Sequence, residues 1–180
     1  MTIYAYDTEF LEDGRTIELI SIGIVCEDGR EYYAVNSDMP RDEINRNHWL
    51  MKNVMPSLPG EVRSSAVAPG ARYFSLDKKS PLVKPKWVIA NEVREFLLAG
   101  TDIELWADYA AYDHVALAQL WGRMINLPKG LPMYTNDLQQ EQRRLGNPPV
   151  PPQFPGEMHN ALADARHVMR VLVELRAVTA

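Results

Sequence analysis

TIYAYDTE, residues 2–9, decides how the rest of the chain is read. Its β-branched and aromatic residues favour a strand, and strand side chains alternate between faces. Ile3, Ala5, Asp7 and Glu9 therefore share one face, while Tyr4, Tyr6, Thr8 and Phe10 take the other. An apolar strand thus ends in two carboxylates crowded on one patch. Like charges this close push each other's pKa upward unless a cation neutralises them, and a divalent metal is the usual solution. A strand end emerging into water would also tolerate Asp-x-Glu at little cost, so the pair alone decides nothing.

Working outward, TIELISIGIVC at 16–26 and REYYAVN at 30–36 have the same strand-forming composition, and EDG at 12–14 and 27–29 supplies turn chemistry between them. The pattern predicts a three-stranded antiparallel meander. A helix is expected over about 41–55, with Ile44, Trp49, Leu50 and Met51 on its apolar face and Pro56 as its stop. The density of Pro, Gly, Ser and Lys over 57–86 reads as a long connection with a short element of its own. A helix over 87–99 closing at Gly100, a short buried strand IELWA at 103–107 and a helix over 109–124 follow. The seven prolines between Pro128 and Pro155 leave room only for a short helix at 136–145. The last helix, over 160–178, carries Ala161, Leu162, Ala165, Val168, Met169, Leu172 and Leu175 at helical spacing. This order implies an α/β fold: a mixed sheet with flanking helices, in which 103–107 pairs parallel to 2–9 and gathers element ends around one crevice.

A chain of 180 residues fits one domain, 1–180, and with 46% hydrophobic and 24% charged residues it can bury a sizeable core. Its apolar runs fall short of a membrane span, and strand-like sequence follows Met1 where a signal peptide would place a basic region and an apolar core. Cys26 is the only cysteine, so an intrachain disulfide is excluded. A soluble, cytoplasmic protein without a membrane partner is expected. The net charge of −5 argues against a general nucleic-acid coat protein. The charge is uneven, however: between Val62 and Asn91, six bases (Arg63, Arg72, Lys78, Lys79, Lys84 and Lys86) face the single acid Asp77. Tyr73, Phe74 and Trp87 interleave with them, a combination that tracks a phosphate backbone and stacks bases. A solvated loop anchored by its aromatics has the same composition.

Two further segments add acids. In YAAYDHVALAQLWGRM, residues 109–124, the apolar stripe runs through Ala110, Leu117, Leu120 and Met124, and Asp113 fills the core-facing slot between the first two. Burying it uncompensated would cost several kcal/mol, so it needs a donor or a metal. In MHNALADARHVM, residues 158–169, Asp164 falls between Ala161 and Val168 at the edge of the stripe. His159 precedes it by five residues; within one helix the two would diverge by about 140°, so a cooperating His159 belongs to the loop or the helix start. His48, His114 and His167 read as ordinary surface or packing residues. Four acids from separate places with no cysteine cluster select Mg²⁺ or Mn²⁺ over Zn²⁺.

An acidic pair on the first strand, Tyr-Asp in a helix after a buried strand and His-x4-Asp opening the last helix resemble a DEDDh exonuclease of the ribonuclease H-like superfamily. The five motif positions are Asp7, Glu9, Asp113, His159 and Asp164. Within that family the chain is most similar to the small actinobacterial ribonuclease AS type, through YDTEFLEDGRTIELISIG, IELWADYAAYDHVALAQLWG and the closing His-x4-Asp. The resemblance covers nearly the whole chain and is weak at 36–90 and 128–155. In DYAAYD the chain departs from the many relatives that carry Asn ahead of the aromatic and the aspartate.

The resemblance implies a 3′–5′ exoribonuclease that releases nucleoside 5′-monophosphates from RNA with a free 3′ end, favours adenylate tails and forms a homodimer. It implies two Mg²⁺ ions, with Mn²⁺ as substitute, held by Asp7, Glu9, Asp113 and Asp164, and His159 as general base. Thr8, Phe10 and Trp106 are the candidate substrate contacts. Three alternatives stand beside this reading. A proofreading-type DNA 3′–5′ exonuclease would share the centre, and a non-catalytic nucleic-acid-binding module would share the fold. A carboxylate-pair glycosidase would leave Asp113, Asp164 and His159 unexplained as a set.

Overall fold

The alternation read from residues 2–9 is the organising feature of the computed structural model, which describes residues 1–154 and 158–178. Pro155 thus lies outside the described residues. Strand β1 (Thr2–Glu12) pairs antiparallel with β2 (Ile17–Cys26), and β2 with β3 (Glu31–Asn36), giving the expected meander. Further along come α3 (Lys86–Leu98), β7 (Ile103–Ala107), α4 (Ala111–Ala118), β8 (Asn136–Asp137), α5 (Leu138–Arg144) and α6 (Ala161–Val178). Strand β7 runs parallel to β1, with Ala5 opposite Trp106. Between β3 and α3 stand α1 (Arg41–Arg46), α2 (His48–Asn53), the hairpin β4 (Gly60–Ser64) and β5 (Arg72–Leu76), and the two-residue strand β6 (Val83–Lys84). The six-stranded sheet has the order β6-β3-β2-β1-β7-β8.

Both sheet faces are covered, so the tyrosines and small residues of β1 are buried on opposite sides. Tyr4 and Tyr6 pack with Leu105, with Val93 and Leu97 of α3 and with Leu117 of α4. Ile3 and Ala5 pack with Leu138 of α5 and with Val168, Val171, Leu172 and Leu175 of α6. A third cluster, including Ile20, Val35, Ile44, Leu50, Met55 and Phe74, fixes α1, α2 and the β4–β5 hairpin beside β2 and β3.

Two expectations change, and a third, the short element within 57–86, takes definite form. The helix over 41–55 is two short helices, because Asn47 is extended and its side chain caps α2 by accepting from the Leu50 N–H. The helix over 109–124 begins only at Ala111, after Tyr109 takes a left-handed backbone with φ 51°. It ends as an α-helix at Ala118, and one 3₁₀ turn leads to Gly122 at φ 81°. Met124, placed by periodicity on the core stripe, is therefore exposed. The connection over 57–86 holds a regular hairpin in which Phe74 is buried. No helix among the described residues is long and apolar enough to cross a membrane.

Candidate active site

Asp7 and Glu9 stand on the α6 side of β1, opposite Gly23 and Ser21 of β2. What brings α6 to them is the absence of a side chain at Gly23. A Cβ there would lie 2.3 Å from the Leu162 nitrogen and 2.4 Å from the Ala161 carbonyl carbon, so the first turn of α6 rests directly on the β2 backbone. Asn160 caps that turn by accepting from the Ala163 N–H (3.1 Å). Asp164, one turn in, then meets the strand acids. Ligand atoms of Asp7, Glu9 and Asp164 all lie within 4.8 Å of one another. Asp164 accepts the His159 backbone N–H at its Oδ2 (3.0 Å) and the Gln153 side-chain amide at its Oδ1.

Asp113 arrives from the other layer. It is buried in α4 and accepts two bonds at one oxygen, from the Thr8 N–H (2.8 Å) and the Thr8 hydroxyl (2.6 Å). It stands outside the 4.8 Å triplet, yet its charge acts on both Asp7 and Glu9. The strand that sends its carboxylates to one face thus anchors a third through the residue between them.

Burial raises the pKa of all four acids, and mutual repulsion adds to it at Asp7 and Glu9. Asp7 is pushed well above the ordinary aspartate range, by burial first and then by Asp113, Glu9, Asp164 and Asp108. Glu9 is pushed to about 8 by burial, then by Asp164 and Asp113. Asp113 reaches about 6, with the Thr8 bonds opposing its burial. A cavity of about 210 Å³ opens onto Asp7 and Asp164, with Asp108, Tyr109, Gln153 and His159 in its wall. No lysine or arginine is among its described lining residues. Hard oxygen ligands crowded in this way fit a divalent cation such as Mg²⁺ or Mn²⁺.

His159 sits just before the cap of α6 with a left-handed backbone, φ 63°. Its ring meets Trp49 edge-on, with centroids 4.9 Å apart at 77°, and its carbonyl accepts the Ser57 hydroxyl (2.8 Å). Phe10 is partly exposed and stacks on the exposed Tyr112, centroids 5.9 Å apart at 7°. Two expected substrate contacts turn inward. The Thr8 hydroxyl is buried and committed to Asp113, and Trp106 packs in the core with Ile3, Ala5 and Leu138, its indole N–H donating to Glu104. The alternation that gave Trp106 to the α6 side buries it.

Sequence reasoning assigned no site role to four residues beside the acids and His159. Gln153 lies in a proline-rich stretch without periodicity, and Trp49 was assigned only to a helix face. Asp108 accepts the Gln139 amide (2.8 Å), and Tyr109 joins it in the cavity wall. The DYAAYD departure was the signal that these two positions are unusual.

Comparison with known proteins agrees with the geometry. The model of the 3′-5′ exoribonuclease Rv2179c-like domain matches residues 2–175. Two curated proteins of Mycobacterium tuberculosis are similar: the 3′-5′ exoribonuclease Rv2179c of strain ATCC 25618 / H37Rv and the 3′-5′ exoribonuclease MT2234.1 of strain CDC 1551 / Oshkosh. Each is 47% identical over 169 residues, covering 93% of this chain and 89% of the relative. With nearly its whole length matched, the chain belongs to the Rv2179c-like family of 3′-5′ exoribonucleases.

Proposed function

We propose that the protein is a metal-dependent 3′–5′ exoribonuclease that removes nucleoside 5′-monophosphates one at a time from RNA 3′ ends, with a preference for adenylate, in the cytoplasm. The observation that carries the metal dependence is the triplet of Asp7, Glu9 and Asp164, with ligand atoms within 4.8 Å and no lysine or arginine among the cavity's described lining residues. Family membership supports RNA as the substrate.

In this reading Asp7, Glu9 and Asp164 would hold one cation, and Asp113 would help to hold a second. Two Mg²⁺ ions, or Mn²⁺ in their place, would supply charge neutralisation at the scissile phosphate and a more acidic water. His159 takes the proton of the attacking water. The water oxygen bonds to phosphorus, the bond to the 3′ oxygen of the preceding nucleotide breaks, and that oxygen leaves as an alkoxide that takes a proton from solvent to become the new 3′ hydroxyl. The Trp49 edge fixes the lateral position of the imidazole, and the Asp164 bond fixes the backbone behind it. Phe10, stacked on Tyr112, offers a face for the terminal base. Exposed aromatic side chains are compatible with a homodimer, which sedimentation at low micromolar concentration checks.

The test is hydrolysis of matched RNA and DNA oligomers with 3′ tails of differing base, in Mg²⁺ and in EDTA. Monophosphate release from RNA that stops in EDTA and is lost in Asp7→Asn is expected. A DNA preference, or full activity in EDTA, overturns the assignment.

A further inference from the structure

Beside the acidic cavity lies a larger groove of about 950 Å³, between α1–α2 and the β4–β5 hairpin. Arg46, His48 and Lys52 line one wall and Arg72 the other, together with Glu61. All five are exposed. Glu61 is ion-paired to Arg63, so its charge is matched. Arg46 donates from Nε only to the backbone carbonyl of Asp42 (3.0 Å), and neither Lys52 nor Arg72 has a carboxylate within ion-pair distance among the described residues. The walls are fixed to each other. Phe74 is buried in the core beneath, its N–H donates to Asn45 Oδ1 of α1 (2.8 Å), and Gly60 leaves room for the Phe74 ring, which a Cβ would meet at 2.5 Å.

One short segment separates this groove from the acids. In α2, His48, Met51 and Lys52 line the groove while Trp49 points at His159. In the following turn, Pro56 lines the groove while Ser57 bonds to the His159 carbonyl. Positive charge unmatched by protein acids, in a rigid groove one helix away from a phosphodiester-cleaving centre, is complementary to a polyanionic strand.

We propose that this groove seats the phosphate backbone of the RNA upstream of the terminal nucleotides, with Arg46, Lys52 and Arg72 as its phosphate contacts. The proposal rests on the exoribonuclease reading and deepens it. It also redraws the basic stretch seen in the sequence. Of that stretch's six bases only Arg72 is among the groove's described lining residues, joined by bases some twenty to thirty residues earlier, while Lys84 is paired to Glu92 and Arg63 to Glu61. A helix with its side chains is about 10 Å across, so the groove is out of reach of a dinucleotide held at the acids.

The test removes three charges at exposed positions, Arg46→Ala, Lys52→Ala and Arg72→Ala together, and compares a dinucleotide with an RNA of about 20 nucleotides. For the long RNA, KM should rise about tenfold or more and the dependence of log affinity on log salt should flatten by about 2, at roughly 0.7 per lost contact. Dinucleotide hydrolysis should stay within about twofold, and the control triple Arg94→Ala, Lys129→Ala and Arg143→Ala, at exposed bases that line neither the groove nor the acidic cavity, should leave the long RNA's KM and salt dependence as in the parent. Equal losses on both substrates, an unchanged long-RNA KM, or an equal effect of the second triple would overturn the groove. Fluorescence anisotropy with the long RNA in the Asp7→Asn background repeats the comparison without turnover. A parent that binds through these three residues and cleaves neither substrate would sink the nuclease reading while upholding the groove.

Discussion

Replacing Gly23 with alanine adds one methyl group across the strand pair from Asp7, and the structure predicts that it disables the centre by displacing the start of α6. The new Cβ would meet the Leu162 nitrogen at 2.3 Å and the Ala161 carbonyl oxygen at 2.4 Å. These are backbone atoms of the first turn of α6, so no side-chain rotation relieves them. To reach the 3.4 Å of ordinary van der Waals contact, the helix start must withdraw by about 1.1 Å. Overpacking of this kind costs roughly 1–3 kcal/mol, and at about 2–4 °C per kcal/mol the melting temperature falls by roughly 2–12 °C. The protein remains folded at 25 °C. Asp164 and His159 move with the helix while Asp7 and Glu9 stay on the sheet, and a misplacement near 1 Å costs about 10²-fold in rate. The assay is monophosphate release from a short RNA at 25 °C over a range of Mg²⁺, alongside circular dichroism to establish folding. A folded Gly23→Ala protein within twofold of the parent at every Mg²⁺ concentration would refute the claim that contact between α6 and β2 sets the acid spacing.

Two more outcomes follow from the carboxylates. Glu9 is held at about 8 against an ordinary 4.5, so its folded form favours the proton. Its stabilising contribution is full below pH 4.5 and is lost as pH rises through 8, a change of up to about 5 kcal/mol at about 1.4 kcal/mol per pH unit. In EDTA, Glu9→Gln should therefore melt at a higher temperature than the parent at pH 8 and near the parent's at pH 4.5, while losing activity in Mg²⁺; equal melting at pH 8 would show that the buried charge is not costly. Thr8→Val removes the 2.6 Å hydroxyl bond to Asp113 and keeps the backbone one. Asp113, near 6 in the parent, should rise further and carry the acid limb of the pH–rate profile with it, so superimposable profiles would dismiss Thr8 as the positioning residue.

The sequence discloses the sheet because its signals are local. Alternation in 2–9 and the two EDG turns need no tertiary knowledge, and the same alternation correctly puts Asp7 and Glu9 on the face of Ile3 and Ala5. Asp113 was legible as a core-facing carboxylate because α4 keeps its helical period through that turn, whereas Met124 was misplaced because the period breaks at Gly122. Less visible are features that depend on backbone conformations ordinary residues rarely adopt. Nothing in the letters His or Tyr announces the left-handed turns at His159 and Tyr109, which aim the start of α6 and shorten α4. Side-chain partners across long separations are equally hidden. Gln153 finds Asp164 from a proline-rich stretch, and Arg46 and Lys52 join Arg72 only because Phe74 buries the hairpin against α1.

That four crowded acids stay gathered with no lysine or arginine among the described residues lining their cavity requires something stronger to hold α6 on the sheet. Its inward stripe supplies it: Val168, Val171, Leu172 and Leu175 are all at most 2% exposed and sit with Ile3 and Ala5. At roughly 1.5–3 kcal/mol for each side chain, this burial contributes on the order of 6–12 kcal/mol. The charge penalty at Glu9 alone reaches about 5 kcal/mol at its fullest, and the burial of Asp7, Asp113 and Asp164 adds to what that attachment must offset. The division of labour runs along the helix. Its apolar turns fix position, and its first turn, freed from bearing load by the Gly23 contact and the Asn160 cap, carries chemistry that works against stability. A divalent cation held by these acids would relieve that repulsion, so adding Mg²⁺ should raise the melting temperature of the parent and leave that of a folded Asp7→Asn protein unmoved.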